Sequence, residues 1–397
     1  MVEKSQEKYA DLPYLPSQEL YEKRSLEVRA KITTTTALPD GYPSEIISPL
    51  AWKSPGIKQK KDQWMFRLSG DDLHCIDDAV RRFEERDLPL QDLSPTTFGL
   101  SPSLASRLLE ASESLYDGVG FTLIRGVDSH RYTTKQNIVI QSGMTSYFGS
   151  LRGFNGPSDM NVLAHVRDLK NFFPGSDIIS PTFTNKAMTM HTDLGDIVSL
   201  FAINRGASGG SFRLASSWTV YNTLVKKRPD VLKVLSDGFV FDPLHPEVPP
   251  YERPLLHHHD GKVLLQSFRR PFTGFGNTPR SPDLPPLTDA QKEALDTLYF
   301  TGLAESFSID FENGDLLLFN NLALLHARDR YITDEENPRH LLKMYVRNPD
   351  KGWKMPPVLQ EQWQQLYQDR SCPRKENFPV MFPTVGHIPL SGWTQNG

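Results

Sequence analysis

The sequence predicts an α+β protein in which a helical and irregular front leads into a body of short strands. Three features point that way: a proline-rich opening with no sustained apolar period, three helix-period stripes before residue 150, and a succession of brief apolar runs punctuated by Gly and Asn turns beyond it. Residues 1–60 carry many of the prolines, so they are expected to form a largely irregular N-terminal extension wrapped on the surface. Asp71 and Asp72 can cap a helix whose Leu73, Ile76, Val80 and Phe83 share one face. Ser101-Pro102 opens a second, with Leu104, Leu108, Ala111 and Leu115 inward and Gly118 as its stop, and a third spans 134–148.

In the body, residues 187–190 and 197–203 read as strands on either side of a turn at Gly195. Residues 218–225, 229–235 and the segment after the capping box Thr288-Asp289-Ala290-Gln291 read as helices inserted between strands. Asp260-Gly261 turns a hairpin whose tip holds His257, His258 and His259, and 271–286 is a long loop of the kind that flanks a binding site. Residues 307–311 alternate, Asn313-Gly314-Asp315 turns, 316–319 is apolar, Asn320-Asn321 turns again, and 322–326 follows. The last strand, 340–346, begins just after Arg339. Closing such strands into a small barrel brings residues distant in the chain face to face.

Chemistry concentrates at His191 and Asp193 in Met190-His191-Thr192-Asp193-Leu194, and at His326 in Leu325-His326-Ala327. Two imidazoles and a carboxylate are the facial ligand set of non-heme Fe(II), which leaves coordination positions open for cosubstrate and O2. With 11 histidines and 48 acidic residues a His-x-Asp also arises by chance, and His258-His259-Asp260 is a second one. The first follows a strand, which gives its ligands a firm backbone; the second sits at the hairpin tip and stays open as a rival.

These residues resemble the taurine dioxygenase (TauD/TfdA-like) family of Fe(II)- and 2-oxoglutarate-dependent oxygenases. The likeness rests on His191-Thr192-Asp193, the Gly209-Gly210 pair, Leu325-His326-Ala327-Arg328-Asp329 and Arg339-His340-Leu341, and on residues 118–126, which look like that family's early strand. It implies a double-stranded β-helix (jelly-roll) barrel with flanking helices and long insertions, in a single domain over 61–397 with its core at about 115–350. It also implies His191, Asp193 and His326 as iron ligands and Arg339 as the partner of the distal carboxylate of 2-oxoglutarate, with Arg328 and Arg330 as competitors. An arginine fork holds a carboxylate bidentately, as lysine does not. Members often place a threonine or serine hydroxyl after the Gly-Gly pair; here only Ser211, followed by Phe212, is available.

The activity implied is oxidation of an unactivated C–H bond in a small organic acid or amino acid, by hydroxylation, desaturation or ring closure, with release of succinate and CO2. Secondary metabolism is the expected setting. Lys343, Tyr345 and Arg347 share the two-residue period of Arg339 and, with Arg213, are the candidate substrate contacts; Asn204 and Phe275 are weaker ones. The rival triad His258, Asp260 and His326 would resemble the isopenicillin-synthase-like branch, whose Arg-x-Ser does not occur between His326 and Pro349. A reading from another class is a barrel that binds a metal or metabolite without turnover.

Composition narrows the remaining classes. A chain of 397 residues, 38% hydrophobic and 23% charged, can bury a large core. A net charge of −4 offers no basic field for nucleic acid or an anionic membrane, and Lys58-Gln59-Lys60-Lys61 reads as a solvated face. Cys75 and Cys372 make no disulfide framework, no apolar run approaches a membrane span, residues 1–8 lack a leader pattern and 394–397 carry no retention signal. A cytoplasmic enzyme of a small molecule and O2 is the expectation, with homo-oligomerisation left open.

Overall fold

A computed structural model of the protein describes residues 11–32, 37–155, 160–170, 172, 180–243, 248–367 and 376–381. Residues 1–8, Cys372 and 394–397, read above for targeting and redox state, lie outside them. The strands that position the site are, in chain order, β1 (Met65–Arg67), β2 (Phe121–Arg125), β3 (Leu151–Gly153), β4 (Ala164–Val166), β5 (Met188–His191), β6 (Ile197–Asn204), β7 (Phe212–Ser216), β8 (Phe307–Ile309), β9 (Leu316–Asn320), β10 (Leu324–Arg328) and β11 (His340–Arg347). A seven-stranded sheet runs β1-β2-β9-β6-β11-β3, with β4 also paired to β11, and a four-stranded sheet runs β8-β7-β10-β5. All these pairs are antiparallel except β1 with β2.

The two sheets pack face to face. Phe121 of the larger meets Phe307 of the smaller at 5.6 Å between ring centroids, and Phe319 meets Phe212 at 5.6 Å. The expected barrel therefore takes the form, among the described residues, of two stacked sheets without a closed ring of strand pairing. Helices α1 (Gln18–Ala30), α2 (Gly70–Glu85), α3 (Pro102–Asp117), α4 (Thr134–Thr145), α5 (Ser217–Lys227), α6 (Asp289–Ala304) and α7 (Pro357–Tyr367) surround them. α3 lies on β2 and β9, and α4 on β6 and β11, while α5 and α6 cover the smaller sheet. With helices outside and a sheet inside, the central strands are buried on both faces, which is why 316–319 is apolar throughout rather than alternating.

The front is more ordered than the sequence predicts. α1 is a 13-residue helix whose buried side chains are Arg24, Ser25 and Val28. Arg24 pairs with Asp296 of α6, and Arg269 donates to the other oxygen of that carboxylate at 2.6 Å. A helix held by ion pairs shows no apolar stripe, so hydropathy periodicity misses it. Leu50, Trp52 and Ile57 join the core as well. α2 begins two residues earlier than expected, because Ser69 is the N-cap and Asp72 closes a capping box with it. α3 starts at the predicted Ser101 cap and α6 at the predicted Thr288 box. Leu256–His259 and Lys262–Leu265 form the predicted hairpin with Asp260 and Gly261 at φ +49° and +70°, with His257 buried. No described helix is long and apolar enough to cross a membrane.

Candidate active site

β5 and β10 are hydrogen-bonded neighbours, and His191 stands directly opposite His326. Their imidazole centroids are 4.0 Å apart. Asp193 lies two residues beyond His191, in the turn that carries the chain from the smaller sheet to the larger. Its Oδ1 is 3.8 Å from His191 Nε2 and its Oδ2 is 3.8 Å from His326 Nε2. One ligand atom from each of the three falls within 4.8 Å of the others, all three residues are buried, and they form the cluster of this kind found among the described residues.

The turn is held from both sides. Thr192 points away from the two ligands: its N–H donates to the Ser267 carbonyl at 2.8 Å and its hydroxyl accepts from Ser267 N–H at 3.0 Å. Asn321, at the turn between β9 and β10, accepts from Asp193 N–H at 2.6 Å and donates to the carbonyls of Asp193 and Gly195 at 2.7 and 2.8 Å. Two corners that connect the sheets are thus stapled by one buried amide. Gly195 adopts φ +91°, and a Cβ there would stand 2.8 Å from the Tyr367 hydroxyl, so the turn closes only with glycine.

Protonation is set for metal binding. His191 Nδ1 faces the Thr189 carbonyl at 2.7 Å, a contact that requires Nδ1–H and leaves the Nε2 lone pair without a protein partner. Burial holds the pKa of His191 below its ordinary value and that of His326 well below it, and Lys343 adds to both effects. Both imidazoles are neutral at neutral pH, as ligands must be. Lys343 Nζ donates to Asp193 Oδ2 at 3.0 Å, with its charge 4.9 Å above the Tyr345 ring. The donor set fits a divalent first-row metal such as Fe(II).

Arg339 enters the interior at the head of β11 with 3% of its surface exposed. Its Nη1 donates to the Arg205 carbonyl at 2.7 Å, Nε has no partner, and no carboxylate pairs with it among the described residues. Burial beside Arg328 pushes the Arg339 pKa down to about 9. A buried cation without a counter-charge is poorly solvated, which is the electrostatic condition of a site that awaits an anion. Gly210, φ +70°, leaves the space beside it: a Cβ would sit 2.7 Å from Arg339 Nη1. The competitors are used otherwise. Arg328 donates to the carbonyls of Thr184 and Lys186 at 2.7 and 2.6 Å and fixes the approach to β5, while Arg330 is exposed.

Several expected contacts require correction. The Ser211 hydroxyl donates to Asp310 at 2.6 Å instead of joining Arg339. Arg347 pairs with Asp196 and donates to the Trp353 carbonyl at 3.0 Å, because Asp196, at the base of the ligand turn, is a fully buried acid in need of a cation. Arg213 forms a bidentate pair with Asp329, at 2.9 Å for each bond. Asn204 caps its own turn through Gly206, and Phe275 packs edge-on against Tyr14 at 4.9 Å. Of the substrate candidates, the structure brings Lys343 and Tyr345 to the centre. His258 is exposed beside Tyr42, and Asp260 faces Lys354, so the hairpin set does not converge with His326.

Comparisons with known proteins agree with this geometry. Residues 86–345 match the family described as "Taurine catabolism dioxygenase TauD, TfdA family". Taurine hydroxylase-like protein SAT17 of Stachybotrys chartarum is 32% identical over 326 residues, covering 80% of this chain and 84% of its own. FR-33289 synthase of Streptomyces rubellomurinus is 28% identical over 310 residues, 75% and 88% of the two chains. Among solved structures, asparagine oxygenase in complex with Fe(II), 2S,3S-3-hydroxyasparagine and succinate superposes with a TM-score of 0.56 at 14% identity, over 73% of this chain and 98% of that one. That last likeness is one of fold.

Proposed function

Because the chain belongs to the TauD, TfdA family of dioxygenases, we propose that it oxidises an unactivated C–H bond of a small amino acid or organic acid at an Fe(II) centre, consuming 2-oxoglutarate and O2. The observation that carries this reading is the convergence of His191, Asp193 and His326 within 4.8 Å on neutral imidazoles and one carboxylate. In this reading those three hold the iron, and Arg339 anchors the distal carboxylate of the cosubstrate. The two facing sheets are the halves of a jelly roll whose core covers about 115–350, within one domain over 61–397.

Bound iron with 2-oxoglutarate supplies the oxidising chemistry, with succinate and CO2 as coproducts. The chain's own residues do the rest. His191 presents Nε2 because Thr189 occupies its other nitrogen, and Asp193 is aimed by Asn321 and by the ammonium of Lys343. Arg339 meets an anion without paying for a rearrangement, since its fork is already held by backbone carbonyls. The aromatic faces of Phe212 and Phe319, 5.5 and 4.9 Å from the His326 ring, exclude water from the distal ligand. Lys343 and Tyr345 are the residues best placed to meet a polar group of the substrate. Hydroxylated asparagine in the structural neighbour and FR-33289 synthase among the relatives favour an amino acid or similar acid, in secondary metabolism.

The test is succinate release from 2-oxoglutarate with Fe(II) and O2, across a panel of amino and organic acids. Stimulation above the substrate-free rate by one of them supports the proposal. Metal binding without succinate under every condition would instead establish a non-catalytic role.

A further inference from the structure

We infer that the hydroxyl of Tyr331 is a second hydrogen-bond donor to the distal carboxylate of 2-oxoglutarate, taking the place of the hydroxyl that the Gly-Gly strand does not provide. This rests on the reading of Arg339 as the anchor of that carboxylate.

Tyr331 is 1% exposed, and its Oη has no hydrogen-bond partner among the described residues. A buried phenol left without an acceptor costs free energy, and such groups usually have a partner. Its ring lies between two cations: the guanidinium carbons of Arg339 and Arg328 are each 4.9 Å from the ring centroid. Arg328 cannot swing away, because its amino groups are spent on the carbonyls of residues 181–186. The ring is therefore fixed against Arg339, whose Nε–H has no partner among the described residues.

The backbone comes close to both side chains at the same spot. Tyr331 pairs with Gly209 in a two-residue ladder, and Gly210 follows at φ +70°. A Cβ on Gly210 would stand 2.7 Å from Arg339 Nη1 and 3.0 Å from Tyr331 Cβ. The bare main chain of Gly210 is thus packed against both the arginine and the tyrosine. The hydroxyl on the glycine strand is diverted, since Ser211 donates to Asp310, and Phe212 after it stacks on His326. The opposing strand of the ladder then offers the phenol. Burial keeps its proton in place, so at neutral pH it donates to a carboxylate.

The experiment is anaerobic titration of the Fe(II)-loaded protein with 2-oxoglutarate and, separately, with pyruvate, a 2-oxo acid without the distal carboxylate, followed by the charge-transfer absorbance of the bound 2-oxo acid. In Tyr331→Phe the dissociation constant for 2-oxoglutarate should rise about tenfold, equivalent to about 1.4 kcal/mol, with that for pyruvate unchanged. Equal weakening of both ligands would mean a general packing loss and overturn the inference, as would unchanged 2-oxoglutarate binding. Arg339→Gln separates the two readings. If it weakens 2-oxoglutarate selectively while Tyr331→Phe does not, only the tyrosine assignment falls; if it leaves 2-oxoglutarate unaffected, the anchor itself is wrong and the tyrosine assignment falls with it.

Discussion

Asn321→Ala should damage both the fold and the metal site, and the size of each effect can be worked from three bonds. The Asn321 amide is fully buried and makes contacts of 2.6, 2.7 and 2.8 Å to Asp193 N–H, Asp193 C=O and Gly195 C=O. A typical buried hydrogen bond contributes about 1 kcal/mol net, so the loss is about 3 kcal/mol, and more if no water enters to serve the orphaned backbone groups. Alanine also leaves a small void. The same bonds aim the carboxylate of Asp193, and removal of a partner that orients a ligand commonly weakens metal affinity by about 10–100-fold. Denaturant unfolding of the metal-free protein reads the first quantity, and Co(II) or Fe(II) titration reads the second. Retention of wild-type metal affinity together with a stability change below about 0.5 kcal/mol would refute the claim that this amide joins the two corners.

Three further outcomes are expected. Metal affinity should stay flat from about pH 8 down to the ordinary histidine pKa of about 6.5, then fall only below it: depressed pKa values keep both buried imidazoles neutral until lower pH, so the binding-competent form is lost late. A decline beginning above pH 7 in a metal titration would contradict that sign. Gly210→Ala should raise the 2-oxoglutarate requirement, since its Cβ intrudes on Arg339, and cost about 1 kcal/mol for the left-handed backbone; unchanged cosubstrate affinity would place the anion elsewhere. His258→Ala should leave metal content and succinate formation at wild-type levels while His191→Ala abolishes both, and the opposite pattern would restore the hairpin triad.

Much of the centre was legible because its signals are local. His-x-Asp after a short strand, a glycine at the turn and a distant histidine in a second apolar run mark the candidate ligands, and the family likeness singles out Arg339 at the head of its strand. What escaped was pairing across the fold. Arg347 and Arg213 look like free cations in the sequence, yet Asp196 and Asp329 claim them through contacts no periodicity encodes. Asn321 reads merely as a turn residue, although Asn320-Asn321 was the visible hint. The helix at Gln18–Ala30 escaped because its inward face is Arg24, Ser25 and Val28, a pattern that hydropathy cannot separate from a surface. The hydroxyl next to the anchor was sought along one strand, whereas the unpartnered one stands on the strand opposite.

The ion pair between Arg24 and Asp296 makes the helix Gln18–Ala30 a buttress. Asp296 is buried under two arginines, so cutting away the arm strips one of them from the acid and opens the back of α6, the helix that lies against β5. A shortened chain would then lose rigidity where the first imidazole is rooted, and its failure to turn over substrate would be mistaken for a fault in the chemistry.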